Sequence, residues 1–285
     1  MNNICILVST GFDRQIFLWS VFGEECHNIS VMSGHKGAVM QINFNASGDN
    51  LYSCSTDKFL SVWDVPTATR IRKMKGHQNF VNSVMNTRRG LSMLVSGSDD
   101  CTIKIWDARR KQVCYTMQNS YPITAVCFND TAENVITGGI DNEIRIWDIR
   151  KNEILLKLQG HSDTITGLSL SPCGSYLLSN SMDNSLKIWD IRPYAPQDRC
   201  VKSFQGHSHN FEKNLLRCCW SNDGSKVSCG SSDRFVYIWD VLTQRLLYKL
   251  PGHNGSVNET KFHNKEPILL SCSSDKTLYM GELEL

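Results

Sequence analysis

The feature that most constrains this chain is an internal repeat of about 42 residues. A Gly-His pair recurs five times, with its histidine at His35, His77, His161, His207 and His253, and Asn119 stands where a further histidine is expected. A second series comprises Asp13, Asp57, Asp100, Asp141, Asp183, Asp233 and Asp275, each followed six residues later by a Trp or, in the last case, by Gly281. Seven repeats are therefore visible. A period of 40 to 45 residues is typical of propellers.

Within each repeat the local pattern predicts four short strands. The second repeat contains four β-branched or aromatic runs separated by Gly, Asn, Asp and Ser, namely VMQINFN, NLYSCS, FLSVWDV and TRIRKMK. No window sustains apolar residues at helical spacing, which argues against a helical solenoid. We therefore predict an all-β fold, a seven-bladed propeller formed by residues 1–285 as one domain. Its blades span 1–33, 34–75, 76–117, 118–159, 160–205, 206–251 and 252–285.

The first and last blades are expected to be incomplete. Counting back 22 residues from Asp13 places the first Gly-His pair before Met1, and the last repeat ends after its third predicted strand. An N-terminal segment is therefore expected to be missing. Such a chain would leave strands without a neighbour, and unpaired strand edges recruit other chains.

Composition excludes several classes of protein. The chain has 30 Lys and Arg against 28 Asp and Glu, so it lacks the basic excess of a general nucleic-acid-binding protein, and any RNA contact should be local or indirect. No stretch approaches 18 consecutive apolar residues, which predicts no membrane segment. The 12 cysteines have no framework spacing and follow no secretory signal, so we expect reduced thiols.

Four repeats carry a complete set of polar residues that suggests a buried network. The histidine can donate to the turn aspartate, while a serine two residues before that aspartate and the indole N–H of the tryptophan supply the remaining partners. The fourth and seventh repeats lack part of the set and should be locally softer. The complete sets are His35/Ser55/Asp57/Trp63, His77/Ser98/Asp100/Trp106, His161/Ser181/Asp183/Trp189 and His207/Ser231/Asp233/Trp239.

The repeated Ser, His and Asp residues could also indicate a catalytic triad or a metal site. Ser, His and Asp together suggest a hydrolase triad, but a catalytic site is normally unique, whereas this set occurs four times without a G-x-S-x-G elbow. His207 and His209 could ligate a metal, yet no third ligand follows at a fixed spacing. We therefore predict no enzyme activity, cofactor, metal or small-molecule substrate.

Departures from the repeat point to a protein-binding surface. Insertions follow Trp189 and His207, and loops that exceed the minimum length often carry function. In these folds the loop leading into a blade and the turn before its third strand open on the same, narrower face. Apolar side chains there either cover each other or form an interface core. The candidate partner-binding residues are Phe12, Phe80, Ile140, Met182, Phe211, Lys213 and Tyr194.

The spacing of Gly-His, Ser-x-Asp and Trp-Asp resembles the WD-repeat family of β-propellers across the whole chain. The strings GGIDNEIRIWDIR, SYLLSNSMDNSLKIWDIRPYAP and HNFEKNLLRCCWS further resemble the WD-repeat subunits of the U-five small nuclear ribonucleoprotein of the spliceosome. The resemblance implies a nuclear, non-enzymatic scaffold in pre-mRNA splicing, bound to the very large scaffold protein of that particle and to its other subunits. It also implies an N-terminal extension that this chain lacks.

One competing function follows from three W-D-x-R sequences, which resemble the adaptor-docking motif of substrate receptors in cullin-type ubiquitin ligases. They end at Arg109, Arg150 and Arg192. In the simpler interpretation, each arginine solvates a hairpin. A generic signalling scaffold and a propeller enzyme are further alternatives.

Overall fold

The computed structural model describes residues 6–21, 26–90 and 92–283, and every regular element in them is a β-strand. The chain divides into two compact units, Met1–Val135 and Ile136–Leu285. Among the described residues, no helix is long and apolar enough to cross a membrane. No disulfide joins the described cysteines.

The first unit contains three sheets and the first strand of a fourth. Its strands are β1 (Ile6–Thr10), β2 (Gln15–Ser20) and β3 (His27–Ser33); β4 (Val39–Phe44), β5 (Asn50–Ser55), β6 (Phe59–Asp64) and β7 (Thr69–Lys75); β8 (Val81–Asn86), β9 (Met93–Ser98), β10 (Thr102–Asp107) and β11 (Val113–Gln118); and β12 (Ile123–Phe128). The sheets are β1–β3, β4–β7 and β8–β11, with sequential strands as neighbours.

The second unit continues the same pattern. Its strands are β13 (Asn134–Gly139), β14 (Ile144–Asp148) and β15 (Glu153–Leu158); β16 (Ile165–Leu170), β17 (Tyr176–Ser181), β18 (Ser185–Asp190) and β19 (Cys200–Gln205); β20 (Cys218–Trp220), β21 (Lys226–Gly230), β22 (Val236–Asp240) and β23 (Leu246–Leu250); and β24 (Val257–Phe262), β25 (Ile268–Ser273) and β26 (Leu278–Glu282). The fourth sheet is β12–β15, within which the division between units falls, and the others are β16–β19, β20–β23 and β24–β26.

Within the described residues, five of the seven sheets have four strands, and the first and last have three. In the first sheet, β1 leads into Asp13 as β5 leads into Asp57, so β1–β3 correspond to the second, third and fourth strands of a complete sheet. In the last sheet, β24–β26 correspond to the first three. The prediction of seven blades is confirmed, and in the described residues the first and last blades each have three strands.

The repeated tryptophans lie at the same structural position in each sheet. In the second sheet the pairing of β6 with β7 shifts register between Val62 and Trp63, and the same shift precedes the Trp in the third, fourth, fifth and sixth sheets. A bulge increases strand twist and re-aims the side chain that follows it. Four tryptophans are buried completely at these places, Trp63, Trp106, Trp189 and Trp239. They anchor the core against which neighbouring sheets pack.

Candidate protein-interaction site

The loop that leads into a sheet, here called the leading loop, contacts the turn between the second and third strands of that sheet. In the fifth sheet the N–H of Met182 donates to the carbonyl of Thr164 at 2.9 Å, and in the third the N–H of Asp99 donates to the carbonyl of Phe80 at 3.0 Å. The second, sixth and seventh sheets have the equivalent bond, Thr56 to Ala38, Ser232 to Ser208 and Ser274 to Ser256. In these sheets the two segments therefore open at the same end.

Each of these turns is closed by its aspartate. In the fifth sheet the N–H of Ser185 donates to Asp183 Oδ1 at 2.9 Å, and Asn184 between them has a positive φ of 62°. Asp side chains that accept from the backbone two residues onward stabilise such turns. The residue after the aspartate is left-handed in all seven repeats, although none is a glycine: Arg14, Lys58, Cys101, Asn142, Asn184, Arg234 and Lys276.

A relay of buried side chains fixes the leading loop to this turn. In the fifth sheet the indole N–H of Trp189 donates to Ser179 Oγ at 2.8 Å, and Ser179 Oγ lies 2.6 Å from His161 Nε2. His161 Nδ1 lies 2.9 Å from Asp183 Oδ2. Because a carboxylate only accepts, the chain of donors runs from Trp to Ser to His to Asp. The relay therefore joins the core to the loop end of the sheet.

The second and third sheets contain the same relay with nearly the same distances. His35 binds Asp57 at 3.0 Å and Ser53 at 2.7 Å, and Trp63 donates to the same serine at 2.8 Å. In the third sheet, His77 binds Asp100 at 2.9 Å and Ser96 at 2.6 Å, and Trp106 donates to that serine at 2.9 Å.

The serine assigned from the sequence is not the one in the relay. In the fifth sheet Ser181 accepts the backbone N–H of Asp183 at 3.2 Å and donates to the carbonyl of Asp163 at 2.9 Å. Ser55 and Ser98 likewise accept from the backbone of their aspartates. Side chains two and four residues before the aspartate share one face of the strand, since strand side chains alternate. The spacing alone therefore could not distinguish them. The relay position is a hydroxyl residue in six repeats: Ser9, Ser53, Ser96, Thr137, Ser179 and Ser271.

The sixth sheet corrects a second expectation, because His207 and Asp233 do not pair. Cys229 occupies the relay position there, and a thiol is a weak hydrogen-bonding group. Asp233 instead accepts from the hydroxyl of Tyr237 at 2.5 Å, and His207 Nε2 lies 2.8 Å from Asn180 Oδ1 of the preceding sheet. Ser231 accepts the N–H of Ser208 at 2.9 Å, and the Trp239 ring lies edge-on to the His207 ring at 5.8 Å.

In the fourth and seventh sheets, other side chains take the place of the missing histidine and the missing tryptophan, respectively. In the seventh, His253 binds Asp275 at 3.3 Å and Ser271 at 2.8 Å, and the ring of Tyr279 lies 4.6 Å from the imidazole. In the fourth, Arg145 forms an ion pair of 2.7 Å with Asp141, while the indole of Trp147 donates to Thr137 at 2.9 Å.

The relay also sets the charge of its members. Burial by itself would raise the pKa of Asp57, but hydrogen bonds from His35 and from the N–H groups of Lys36 and Phe59 outweigh burial and lower this pKa to about 2. The pKa of Asp183 is lowered in the same way by His161 and Ser185. Burial lowers the pKa of His77, against the opposing effect of Asp100. The aspartates are therefore ionised at neutral pH and hold the imidazole N–H.

In the second unit, three of the candidate binding residues lie on consecutive loops. Ile140 is 46 % exposed in the turn of the fourth sheet, Met182 is half-buried in the turn of the fifth, and Phe211 is 90 % exposed on the leading loop of the sixth. Side-chain bonds tie these loops together: Asn142 donates to the carbonyl of Ser162 at 3.0 Å, and Asn184 accepts the N–H of His209 at 2.6 Å. We call Ile140, Met182, Phe211 and the adjacent exposed Lys213 the apolar rim.

The remaining candidates lie elsewhere. Phe12 and Phe80 are exposed in the first unit, on the turn of the first sheet and on the leading loop of the third. Tyr194 is completely exposed on the connection between β18 and β19. In an antiparallel sheet this connection lies at the end opposite the β17–β18 turn that carries Met182. Tyr194 therefore does not belong to the apolar rim.

The side chains of two of the three W-D-x-R arginines fold back onto their own hairpins. Arg109 donates to both oxygens of Asp107 at 3.0 Å, and Arg192 contacts both oxygens of Asp190. The backbone N–H of Arg150 donates to Asp148 at 2.8 Å. These contacts match the simpler interpretation, in which the arginine stabilises a turn, and nothing found supports the ligase alternative.

His207 and His209 are not part of a larger group of metal-binding side chains. Their rings lie 5.8 Å apart, and the described part of the chain contains no cluster of three or more His, Cys, Asp or Glu residues arranged to hold a metal ion. Burial lowers the pKa of each to about 4, and the proximity of His209 adds to the effect on His207. Both are therefore neutral at physiological pH.

A known repeat family matches this chain six times in succession. A family profile described as "WD domain, G-beta repeat" matches residues 26–64, 68–107, 111–148, 152–190, 198–240 and 244–280. The chain belongs to the WD40 family. Its seven sheets are the blades of a seven-bladed WD40 β-propeller.

Within the WD40 family, the chain is similar to named splicing proteins over nearly its whole length. It is 57 % identical to the U5 small nuclear ribonucleoprotein 40 kDa protein of Mus musculus, in an alignment that covers 98 % of this chain and 77 % of the relative. It is 56 % identical to the protein of the same name from Homo sapiens, over 98 % of this chain and 78 % of that relative. Pre-mRNA-splicing factor cwf17 of Schizosaccharomyces pombe is 46 % identical over 96 % and 80 %. The chain thus belongs to the family of U5 40 kDa proteins.

Proposed function

We propose that this WD40 propeller is a non-enzymatic subunit of the U5 small nuclear ribonucleoprotein and acts in pre-mRNA splicing in the nucleus. The observation that carries the proposal is the 57 % identity over 98 % of the chain to a protein named for that particle. The fission-yeast relative, which is named as a splicing factor, supports the same role. The expected partners are the large scaffold protein of the particle and its other subunits.

The apolar rim is the surface we assign to this scaffold protein. Its residues combine a large exposed aromatic ring, an aliphatic side chain and a methionine, and aromatic and methionine residues are enriched in interface cores. The relay of the fifth sheet and the bonds made by Asn142 and Asn184 hold these loops in place before a partner arrives. A preorganised surface loses less conformational entropy on binding.

The geometry of the Phe211 loop indicates which chemical groups the partner surface should present. Phe211 and Lys213 lie in one turn, closed by a bond of 3.2 Å from the N–H of Lys213 to the carbonyl of Asn210. The partner surface therefore needs an apolar pocket for the ring and an acidic group beside it for the ammonium. No enzymatic step is required of the propeller in this role.

The experiment is capture from nuclear extract with the immobilised full chain. We expect the wild type to retain U5 RNA and the large scaffold protein, and the Ile140→Ser/Met182→Ser variant to retain about tenfold less, because a few central residues carry most of the binding energy. Tyr194→Ser is the matched control, since it removes a more exposed aromatic at the opposite end of the fifth sheet.

Equal melting temperatures of the three proteins are needed to exclude a folding defect. Undiminished capture by the double variant would move the docking site away from the apolar rim. Recovery of a cullin adaptor without U5 RNA would contradict the splicing role itself.

A further inference from the structure

A basic groove on the second sheet lies outside the surface assigned to the splicing scaffold. It follows the last strand of that sheet, β7, and has a volume of about 520 Å³. Its lining residues are Arg70, Ile71, Arg72, Lys73, Lys75 and Lys111. Five of the six carry a positive charge, in a protein whose net charge is only +2.

These five cationic groups lack close anionic partners, although the more distant charge of Asp57 acts on Lys73. Across residues 6–21, 26–90 and 92–283, none of the five forms an ion pair with a carboxylate. Arg70 donates to the carbonyl of Gly34 at 2.7 Å, and Arg72 donates to that of Ala108 at 3.0 Å. These bonds hold both guanidinium groups in place and leave their charge available to a ligand.

Two lysines of β7 contact the aromatic ring of Phe59. Lys73 Nζ lies 3.7 Å from the centre of the Phe59 ring, and Lys75 Nζ lies 5.9 Å from it. Burial lowers the pKa of Lys73, the charge of Asp57 opposes this effect, and the charges of Arg70 and Lys75 lower the pKa further. The ring that could have stacked on a nucleic-acid base is therefore covered by an ammonium group, and none of the lining residues is aromatic.

The backbone of β7 adds a second element of recognition. Because β7 is the terminal strand of its sheet, it pairs with β6 on one side, and no strand of the described ranges pairs with its other side. Ile71 is 42 % exposed and stands at the bulge opposite Val62 and Trp63, so an apolar contact point lies between the cations. Cationic side chains on an edge strand oppose pairing with other basic or neutral strands. They favour a strand that carries acidic residues.

We propose that the edge of β7 binds an extended acidic segment of another protein, which adds to the second sheet as a fifth strand. Backbone hydrogen bonds to β7 provide the affinity common to strand addition, and alternate side chains provide the specificity. Carboxylates of the segment contact Arg70, Lys73, Lys75 and Lys111, and an aliphatic residue between them covers Ile71. An RNA strand would meet the same charges, but the groove lacks an exposed ring for base stacking, which RNA-binding surfaces commonly use.

Fluorescence anisotropy on the full chain tests this proposal. The probe is a labelled peptide of alternating Glu and Val residues, and the competitor is an oligouridylate of equal charge. We expect the peptide to bind the wild type and to bind the Lys75→Glu/Lys111→Glu variant about tenfold more weakly, because two exposed attractions become repulsions. The control, Lys151→Glu/Lys265→Glu, makes the same change of net charge at exposed lysines of the second unit and should weaken binding less than twofold.

A second peptide separates strand addition from simple charge attraction in the wild-type protein. When the amides along one edge of the peptide are N-methylated, its charge is kept and its backbone donors are lost, so we expect binding to be lost. Retained binding of the methylated peptide would overturn strand addition. Equal effects of the two lysine variants, or tighter binding of oligouridylate than of peptide, would overturn the acidic-segment proposal.

Discussion

Substituting Ser179 by alanine tests whether the relay contributes to stability as its geometry indicates. The Ser179 hydroxyl is buried completely and contacts two groups, the indole N–H of Trp189 at 2.8 Å and Nε2 of His161 at 2.6 Å. Alanine removes the common partner and leaves both groups buried and unsatisfied. Each such group costs about 1–3 kcal/mol. For the two groups together, we therefore expect the free energy of unfolding to fall by about 2–6 kcal/mol.

Thermal unfolding measures this change directly. For a chain of this size, a loss of about 3 kcal/mol corresponds to a decrease of roughly 5–10 °C in the melting temperature. Ser203→Ala is the matched control, because Ser203 is exposed on β19 of the same sheet, and surface substitutions usually stay within about 0.5 kcal/mol. Hydrogen exchange should also accelerate at the amides of β17.

A melting temperature of Ser179→Ala within about a degree of that of Ser203→Ala would contradict a stabilising role of the relay. In that case the two buried groups would have found other partners, and the relay would not hold the leading loop. A decrease confined to Ser181→Ala would instead restore the original assignment, in which the serine nearer the aspartate is the important one.

Two further changes test the pH dependence and the packing. Because burial holds the pKa of His207 at about 4, the unfolded chain, with a histidine pKa near 6.5, binds the proton first as the pH falls. His207 by itself should therefore lower the free energy of unfolding by about 3 kcal/mol between pH 6.5 and pH 4, in addition to the effect of His209, whose pKa is also about 4. Urea unfolding at both pH values should show a smaller fall for His207→Asn, and an identical fall would contradict the assignment. Gly230→Ala should lower the melting temperature by several degrees, because a Cβ there would meet the carbonyl oxygen of Val257 at 2.1 Å, and overpacking costs about 1–3 kcal/mol. Gly281→Ala, where a Cβ meets nothing within 4 Å, is its control, and equal melting temperatures would mean that the backbone adjusts.

The repeat predicted the fold because each of its recurring residues has a local structural role. Asp183 closes a turn by accepting the N–H two residues onward, and Trp189 follows a bulge that turns its ring into the core. Both roles depend on a few neighbouring residues, so their spacing is visible in the sequence. The resemblance to WD-repeat propellers, rather than the spacing, placed the leading loop and the turn at one end of the sheet, where Met182 bonds to Thr164.

The side-chain partners could not be derived in this way. Arg145 takes the place of the missing histidine in the fourth sheet, and Tyr237 binds the aspartate of the sixth. Both compensations come from the strand after the turn, four residues beyond the aspartate. They depend on which long side chain can reach the carboxylate once the strands have paired and twisted.

The positions of the exposed surfaces were still harder to predict, because they depend on how the sheets are assembled. Seven repeats, their strand order and the WD40 family were all predictable from the residues, because each repeat is one antiparallel unit with its own turn and core residues. Three findings required the folded chain: Ser179 rather than Ser181 joins His161 to Trp189, Tyr194 lies away from the apolar rim, and the basic groove follows β7. Local periodicity specifies backbone hydrogen bonds, whereas contacts between side chains follow from distances across strands and between neighbouring blades.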